Sequence, residues 1–367
     1  MPSSVLDDPA LYEGIEDEHE REARRRLVEV LLEAGAAEYE ILAAAREGRL
    51  ATLPLDFVLG GPRRYTLTEV ARKARLDPKF LRSVMLSLGH ANPRPREKRY
   101  GDADVEVAQT LRTFIDAGMS RDGLLDVSRV IGQSMARTAA AVRELAGESL
   151  IRPGDDEYEL GLRYVGAVRE LTPLLGPVLL HHLNLHLREQ ATRDVITNTD
   201  RAAGSRTRER EVAVAFADLS DFTRLGQRLS PDRIGAIGNR MATLGADVAR
   251  PPVELVKTIG DGVMLVSAEV DPLVSAMLAL RKNVEAEGES FPALRAGIAL
   301  GPAVSRAGDW FGPAVNRASR LVDVAKPGTI VVDDSVRERA DGFEMKPIRR
   351  KSLKGIERRV RLYRVEA

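Results

Sequence analysis

Two aspartates stand where short apolar runs end. VAVAFA, residues 212 to 217, leads straight into Asp218, and VELVKTI and GVMLVSA flank the triplet Gly260-Asp261-Gly262. A short apolar run reads as a buried strand, and Gly-Asp-Gly between two such runs reads as a hairpin tip. Each acid has an ordinary alternative. Asp218 can cap a helix beginning near Phe222, and Asp261 is at home in a turn. Held on neighbouring strand ends, however, the two carboxylates make an oxygen site for Mg²⁺ or Mn²⁺. Two such ions can clamp the attacking and leaving oxygens of a phosphoryl transfer. Lys257 lies four residues before Asp261, on the same face of an alternating strand. DWFGPAVNRASR adds Asp309, Asn316 and Arg320, the last two one helical turn apart so that they present together. Taken singly, Lys257, Asn316 and Arg320 are ordinary surface residues.

Strands and helices must position these groups, and only one half of the chain supplies both. Residues 1 to 190 read as helix after helix: EREARRRLVEVLLEAGAAEYEILAAAREG, VEVAQTLRTFIDAG and RDGLLDVSRVIGQSMARTAAAVRELAG carry apolar residues at helical spacing, each ended or broken near a glycine. Residues 191 to 210 are polar and charge-rich, a connector. From residue 211 to 367 strands alternate with helices: PDRIGAIGNRMATLGADVA, DPLVSAMLALRKNVEAEG and VNRASRLVDVAKPG as helices, LRAGIALGPAVSRAG, TIVVDD, FEMKPIRRKSL and RRVRLYRV as strands. That alternation predicts helices layered over a sheet.

Composition removes several classes. The 367 residues contain no cysteine, which excludes disulfides, thiolate metal sites and cysteine nucleophiles. Lys+Arg and Asp+Glu balance at 55 each, so global charge points to no polyanionic partner. Aromatics are 4%, too few for a base-stacking platform. The acidic opening MPSSVLDDPALYEGIEDEHE has no apolar core of a secretory signal, and LTPLLGPVLLHHLNLHL, interrupted by Pro177 and three histidines, falls short of the ~18 apolar residues of a membrane span. The expectation is a cytoplasmic protein.

FADLSDFT, VKTIGDGVMLV and RAGDWFGPAVNRASR, in that order and at those separations, resemble the catalytic domain of the class III nucleotidyl cyclases over roughly residues 211 to 365. The resemblance implies an α+β protein whose C-terminal domain has a ferredoxin-like βαββαβ core with extra strands, behind an all-α regulatory domain. It implies that Asp218 and Asp261 bind two divalent cations, that Lys257 and Asp309 read the purine, and that Asn316 and Arg320 orient the ribose and neutralise charge at the α-phosphate. Lys354 in LKGIE resembles a phosphate-contacting lysine. Guanylyl cyclases of the family carry Glu and Cys or a similar pair where this chain has Lys257 and Asp309, so ATP is the expected substrate and 3′,5′-cyclic AMP with pyrophosphate the expected products. In the family each site forms between two catalytic domains; a chain holding every part implies a homodimer with two equivalent sites. Where many relatives read Val-Gly or similar, this chain has Ser220-Asp221, and no role is carried onto Asp221.

Residues 65 to 120 hold a rival reading. TLTEVARKARLDPKFLRSVM fits a helix-turn-helix with a break near Leu76-Asp77-Pro78, and with Tyr100 and the following helix it resembles the head of MerR-type regulators. From Gly61 to Tyr100 eleven Lys and Arg face three acids, a composition that binds phosphate backbones. The second helix offers only Lys79, Arg82 and Ser83 as polar readers, thin for base readout, and regulatory packing is the preferred reading over nucleic acid. A helical N-terminal half, a connector and a class III domain together resemble the mycobacterial pH-sensing, autoinhibited adenylyl cyclases, whose helical domain has also been linked to fatty acids. His181, His182 and His186 in LLHHLNLHL fit such a switch, because histidine changes charge near pH 6.5; the expectation is activation by acid. The alternatives are a nucleic-acid-binding regulator that senses nucleotide through a cyclase-like domain, and a guanylyl cyclase.

Overall fold

The computed structural model describes residues 4–61, 63–94, 96–193, 209–351 and 360–366. The chain divides into two compact units, Met1–Val195 and Ile196–Ala367.

The first unit is helical throughout its described residues, apart from a single bridge between Tyr65 and Tyr100. Its helices are α1 (Glu18–Glu33), α2 (Glu38–Arg46), α3 (Leu53–Gly60), α4 (Leu67–Lys73), α5 (Pro78–Ser87), α6 (Asp102–Asp116), α7 (Arg121–Leu150) and α8 (Glu157–Arg193). Local chemistry starts them. Asp17 accepts from the Glu20 amide at the head of α1, Thr66 and Glu69 form a capping box on α4, and Ser120 accepts from the Gly123 amide on α7. Two apolar clusters hold the unit: one around Leu11, Leu27, Leu31 and Ile41, the other around Val70, Ala71, Leu81, Val84 and Ala108.

Glycine does not end the third of the helical segments as its sequence suggests, for Gly123, Gly132 and Gly147 all lie inside α7. Gly132 has a packing reason: a Cβ there would come within 2.6 Å of the Leu88 backbone, so glycine lets the end of α5 press against α7. The helix α8 likewise continues through Pro173 and Pro177. No helix among the described residues is long and apolar enough to cross a membrane.

In the second unit β1 (Glu209–Leu219) is followed by a single turn of helix, α9 (Phe222–Leu225), and by α10 (Pro231–Val248). Then come β2 (Glu254–Ile259), β3 (Gly262–Ser267), α11 (Val270–Ala286), β4 (Leu294–Arg306), β5 (Asp309–Phe311), α12 (Pro313–Val324), β6 (Thr329–Asp333), α13 (Asp334–Arg339), β7 (Met345–Lys351) and β8 (Val360–Val365). The sheet runs β2-β3-β1-β4-β6-β8-β7, with β5 paired to β4. Its first four strands with α10 and α11 are a ferredoxin-like βαββαβ unit, antiparallel throughout, and β6 joins β4 in parallel.

The strand β1 is central and reads as continuously apolar because both its faces are covered. Ala213, Ala215 and Ala217 face the side that holds Met241 of α10 and Leu273 and Met277 of α11. Val212 and Val214 face the other side, with Ala314, Ala318 and Leu321 of α12. The close approach of α12 depends on Gly297, where a Cβ would lie 2.5 Å from the Leu321 Cβ and 2.6 Å from the Ala318 carbonyl. Gly297→Ala should therefore lift α12 and lower stability by about 1–3 kcal/mol, read as a lower urea midpoint with an unchanged slope.

Candidate functional site

Asp218 ends the apolar stretch of β1 on the same face as Val212 and Val214, and the register of the sheet sets Arg295, on β4, directly across from it. The guanidinium grips the carboxylate with both arms, Nη2 donating to Oδ2 at 2.9 Å and Nε to Oδ1 at 3.3 Å. This bond, first among its causes, holds the Arg295 pKa above its usual value. The capping role open to Asp218 is not taken: α9 has no side-chain cap, and the residue before it, Asp221, sits at φ 58°.

Asp261 reaches the same place along a different element. β2 and β3 form a hairpin whose two-residue tip is Gly260-Asp261. Gly260 adopts φ 59°, which glycine tolerates at the first central position of a tight hairpin. Gly262 lets the tip close on β1, since a Cβ there would meet the Ala217 carbonyl at 3.0 Å and the Asp218 Cβ at 3.6 Å. The carboxyl of Asp261 is pushed above the ordinary range by burial and by the charge of Asp218, against the pull of backbone amides and of Arg295.

Two carboxylates crowded at one strand end, one of them resisting ionisation, are what a divalent cation relieves. The donor set is hard oxygen and small in number, which suits Mg²⁺ or Mn²⁺ that keep waters and take substrate phosphates as further ligands. No group of three metal-ligating side chains occurs among the described residues. The cation reading therefore rests on this pair.

Lys257 pairs across the β2–β3 ladder with Met264, whose side chain belongs to the α12 face of the sheet. The Lys257 ammonium donates to the carboxylate of Asp309 at the start of β5, and Asp309 also accepts from the Trp310 amide at 2.8 Å. The structure thus brings together two residues 52 positions apart. Ile259 and Phe311, the last residues of β2 and β5, are exposed at 54% and 55%. Asn316 and Arg320 both lie on the exposed side of α12, and Arg320 reaches only Asp323 among described residues, at 3.4 Å.

Two arginines escaped the sequence reading. Arg295 is the single charge in LRAGIAL, and only strand register shows its partner. Arg317 lies between Asn316 and Arg320 but points inward: its Nη2 donates to the Leu300 carbonyl at 2.7 Å, and its Nε lies 3.4 Å from the buried Asp333 carboxylate without hydrogen-bond geometry.

Lys354 and most of the 191–210 connector lie outside the described residues. His181, His182 and His186 are exposed on α8; the first two rings meet edge to face with centroids 5.5 Å apart, and His186 lies 3.7 Å from Glu189.

Residues 6–191 match the family described as adenylate cyclase regulatory domain, and residues 205–367 match the adenylate and guanylate cyclase catalytic domain. The chain is 39% identical over 354 residues to the pH-sensitive adenylate cyclase MT1302 of Mycobacterium tuberculosis, covering 94% of this chain and 88% of the relative. It is 31% identical to an adenylate cyclase of Streptomyces coelicolor (77% of this chain, 73% of the relative) and 34% identical to one of Streptomyces griseus (75% and 68%). With its carboxylate pair on two neighbouring strand ends and a helical domain of the matching kind ahead of it, this chain belongs to the class III adenylate cyclases, with a regulatory domain followed by a catalytic domain.

Proposed function

We propose that two copies of the chain meet so that Asp218 and Asp261 of one and Lys257, Asp309, Asn316 and Arg320 of the other enclose a single ATP. Each copy contributes both sets, so the dimer carries two sites related by a two-fold axis. The observation that carries the reading is the placement of the β2–β3 tip, which bears Asp261, against the end of β1, where a Cβ on Gly262 would lie 3.6 Å from the Asp218 Cβ. Support for a second copy comes from Ile259 and Phe311, exposed apolar residues that end the strands bearing Lys257 and Asp309 and suit burial against a partner.

The roles follow from donor and acceptor chemistry. Lys257 donates to a ring nitrogen of adenine and Asp309 accepts from its exocyclic amine; their ion pair in this structure holds both heads in one place. Asn316 orients the ribose, and Arg320, one turn further along α12, offsets charge growing at the α-phosphate as its 3′-hydroxyl attacks in line and pyrophosphate leaves. Asp218 and Asp261 would hold the two divalent cations, which when bound would supply Lewis-acid activation of the 3′-hydroxyl and offset charge on the phosphate oxygens. Arg295 pairs with Asp218 through both carboxylate oxygens and offsets its charge.

Cyclic AMP formation from ATP with Mn²⁺ tests this directly. Wild-type protein should turn over, and Asp261→Ala should lose about 10³-fold, or ~4 kcal/mol of barrier lowering; unchanged activity would remove the acid pair from the chemistry. Lys257→Glu with Asp309→Cys should raise the rate with GTP relative to ATP, measured as the ratio of the two kcat/KM values.

Control by the helical unit belongs to the same proposal. The 39% identical relative is named for pH sensitivity, and His181, His182 and His186 lie exposed on α8 as the side chains assigned to such a switch. Glu189 lies within ion-pair reach of His186. Activity of the full chain against residues 209–367 alone, across pH 5 to 8, should diverge, with the full chain rising relative to the fragment in acid. Parallel profiles would sink this part. Nothing among the described residues supports the fatty-acid ligand that the resemblance implies.

A further inference from the structure

The basic segment before Tyr100 is untouched by the cyclase chemistry, and the structure sorts its cations into two groups. Arg63 pairs with Glu40 at 2.8 Å and Asp56 at 3.3 Å, Arg64 with Asp102 at 2.8 Å, and Arg99 lies 3.8 Å from Glu97, while the Lys73 ammonium sits 4.7 Å over the Tyr65 ring. On the two helices Arg72, Lys79 and Arg82, and in the turn between them Arg75, are exposed and make no ion pair among the described residues. On the loop that follows, the same holds for Arg94, Arg96 and Lys98.

The three acids of the segment are turned to backbone. Glu69 accepts from the Thr66 amide at 2.8 Å, Asp77 from the Lys79 amide at 3.2 Å, and Glu97 from the Arg94 amide at 2.9 Å. They fix the turns and leave the cations outward.

The arrangement is a helix, a four-residue turn and a second helix. Leu67, Val70, Ala71, Leu76, Leu81 and Val84 form its core. The second helix, α5, turns Lys79, Arg82, Ser83 and Leu86 outward, an i, i+3, i+4, i+7 stripe. In the turn Arg75 stands at φ 54°, a conformation that costs any residue with a Cβ and that glycine adopts freely. Packing alone does not call for arginine there. The loop is pinned back on the first strand-like residue by the Tyr65–Tyr100 bridge, with the Tyr65 amide donating to the Tyr100 carbonyl at 2.9 Å. Glu69 lies within electrostatic reach of both Arg72 and Lys98, and Tyr100 within that of Arg82, so helices and loop share one cationic surface.

We infer that α4, α5 and the described residues of the loop up to Tyr100 form a site for double-stranded nucleic acid, with α5 entering the major groove and the loop resting on the adjacent phosphate backbone. Duplex is favoured over single strand because, among the described residues of the segment, the exposed rings are only His90 and a half-buried Tyr65 that Lys73 covers, too few to stack successive bases. It is favoured over a lipid surface because Leu86 is the one large apolar side chain exposed between Tyr65 and Tyr100 among the described residues. With Lys79, Arg82 and Ser83 as the only polar readers on α5, binding is dominated by phosphates and weakly selective for sequence.

The test is fluorescence anisotropy of a labelled mixed-sequence duplex about 24 base pairs long, titrated with the full chain at ~50 mM salt and upward. Affinity should fall on a log–log plot with a slope of roughly −4 to −6, and Lys79→Glu with Arg82→Glu should weaken binding at least ~10-fold and flatten the slope, with cyclic AMP formation unchanged. Arg94→Glu with Arg96→Glu, on the loop and away from any helix, should weaken it similarly and guards against a folding defect in the first pair. The inference is overturned if the duplex is not bound at low salt, if both charge reversals leave binding unchanged, or if a single strand of the same length or vesicles of phosphatidylglycerol bind more tightly than the duplex.

Discussion

Mixing an Asp261→Ala chain with an Arg320→Ala chain is expected to restore cyclic AMP formation to about a quarter of the wild-type level, although each variant alone is inert. The acid pair sits where the β2–β3 tip meets the end of β1, while Arg320 lies on the exposed side of α12. If each site takes its acids from one copy and its arginine from the other, a mixed dimer has one site with both lesions and one with neither. Random exchange makes half of the dimers mixed, and half of their sites are whole. Differently tagged chains purified in tandem should reach about half of wild type instead. Each single variant should lose on the order of 10³-fold, ~4 kcal/mol, if, as proposed, one removes a cation ligand and the other a charge that acts on the α-phosphate. A mixture as inert as its components would mean that the site lies within one chain.

Arg317→Met should cost about 3 kcal/mol of stability, and the cost should depend on pH. The side chain bridges α12 to β4 and β6, donating to the Leu300 carbonyl and lying 3.4 Å from Asp333. Gly301 makes room for it, since a Cβ there would lie 2.6 Å from Nη2. Asp333 is 2% exposed. Burial raises its carboxyl pKa, and Arg317 opposes that rise. Methionine fills much of the volume and leaves Asp333 without its counter-charge. The cost lies at the low end of the range for broken buried pairs because Arg317 is partly exposed.

For an acid whose folded pKa is raised, the native state binds the proton more tightly than the unfolded chain does. Stability then falls as pH rises from the ordinary carboxylate range through the folded value, and is regained as pH drops back through that window. Loss of Arg317 raises the folded value further. The gap between variant and wild type should thus be widest at neutral pH and narrow in acid, read from urea midpoints at a series of pH values. Pairing the change with Asp333→Asn should restore most of the loss, since the amide keeps the acceptor for the Val336 amide that starts α13. A gap constant across pH would show that the charge of Asp333 is not what Arg317 serves. Activity should fall as well, because Arg317 fixes the helix that carries Asn316 and Arg320.

The sequence by itself determined the elements and the ends at which chemistry sits. Apolar runs closed by Asp218 and by Gly-Asp-Gly specify a strand end and a hairpin tip locally, and Asn316 and Arg320 share a helix face because of a spacing of four. Caps and turn residues act within a few positions of themselves, so reading them needs no neighbour from elsewhere in the chain. Even so, local signals misplaced some boundaries. Glycines that suggest breaks lie inside α7, where a close crossing at Leu88 explains Gly132, and the capping role open to Asp218 gave way to Arg295.

Only the tertiary structure decided which groups meet. Arg295 stands 77 positions from Asp218, and Lys257 stands 52 from Asp309. Both encounters follow from strand order, with β3 inserted between β1 and β2 and β5 folded back on β4. That Arg317 turns inward while Asn316 and Arg320 stay exposed depends on which side of α12 meets the sheet. Strand register and helix docking are set by the summed packing of surfaces far apart in the chain, and that sum leaves no mark at any one residue.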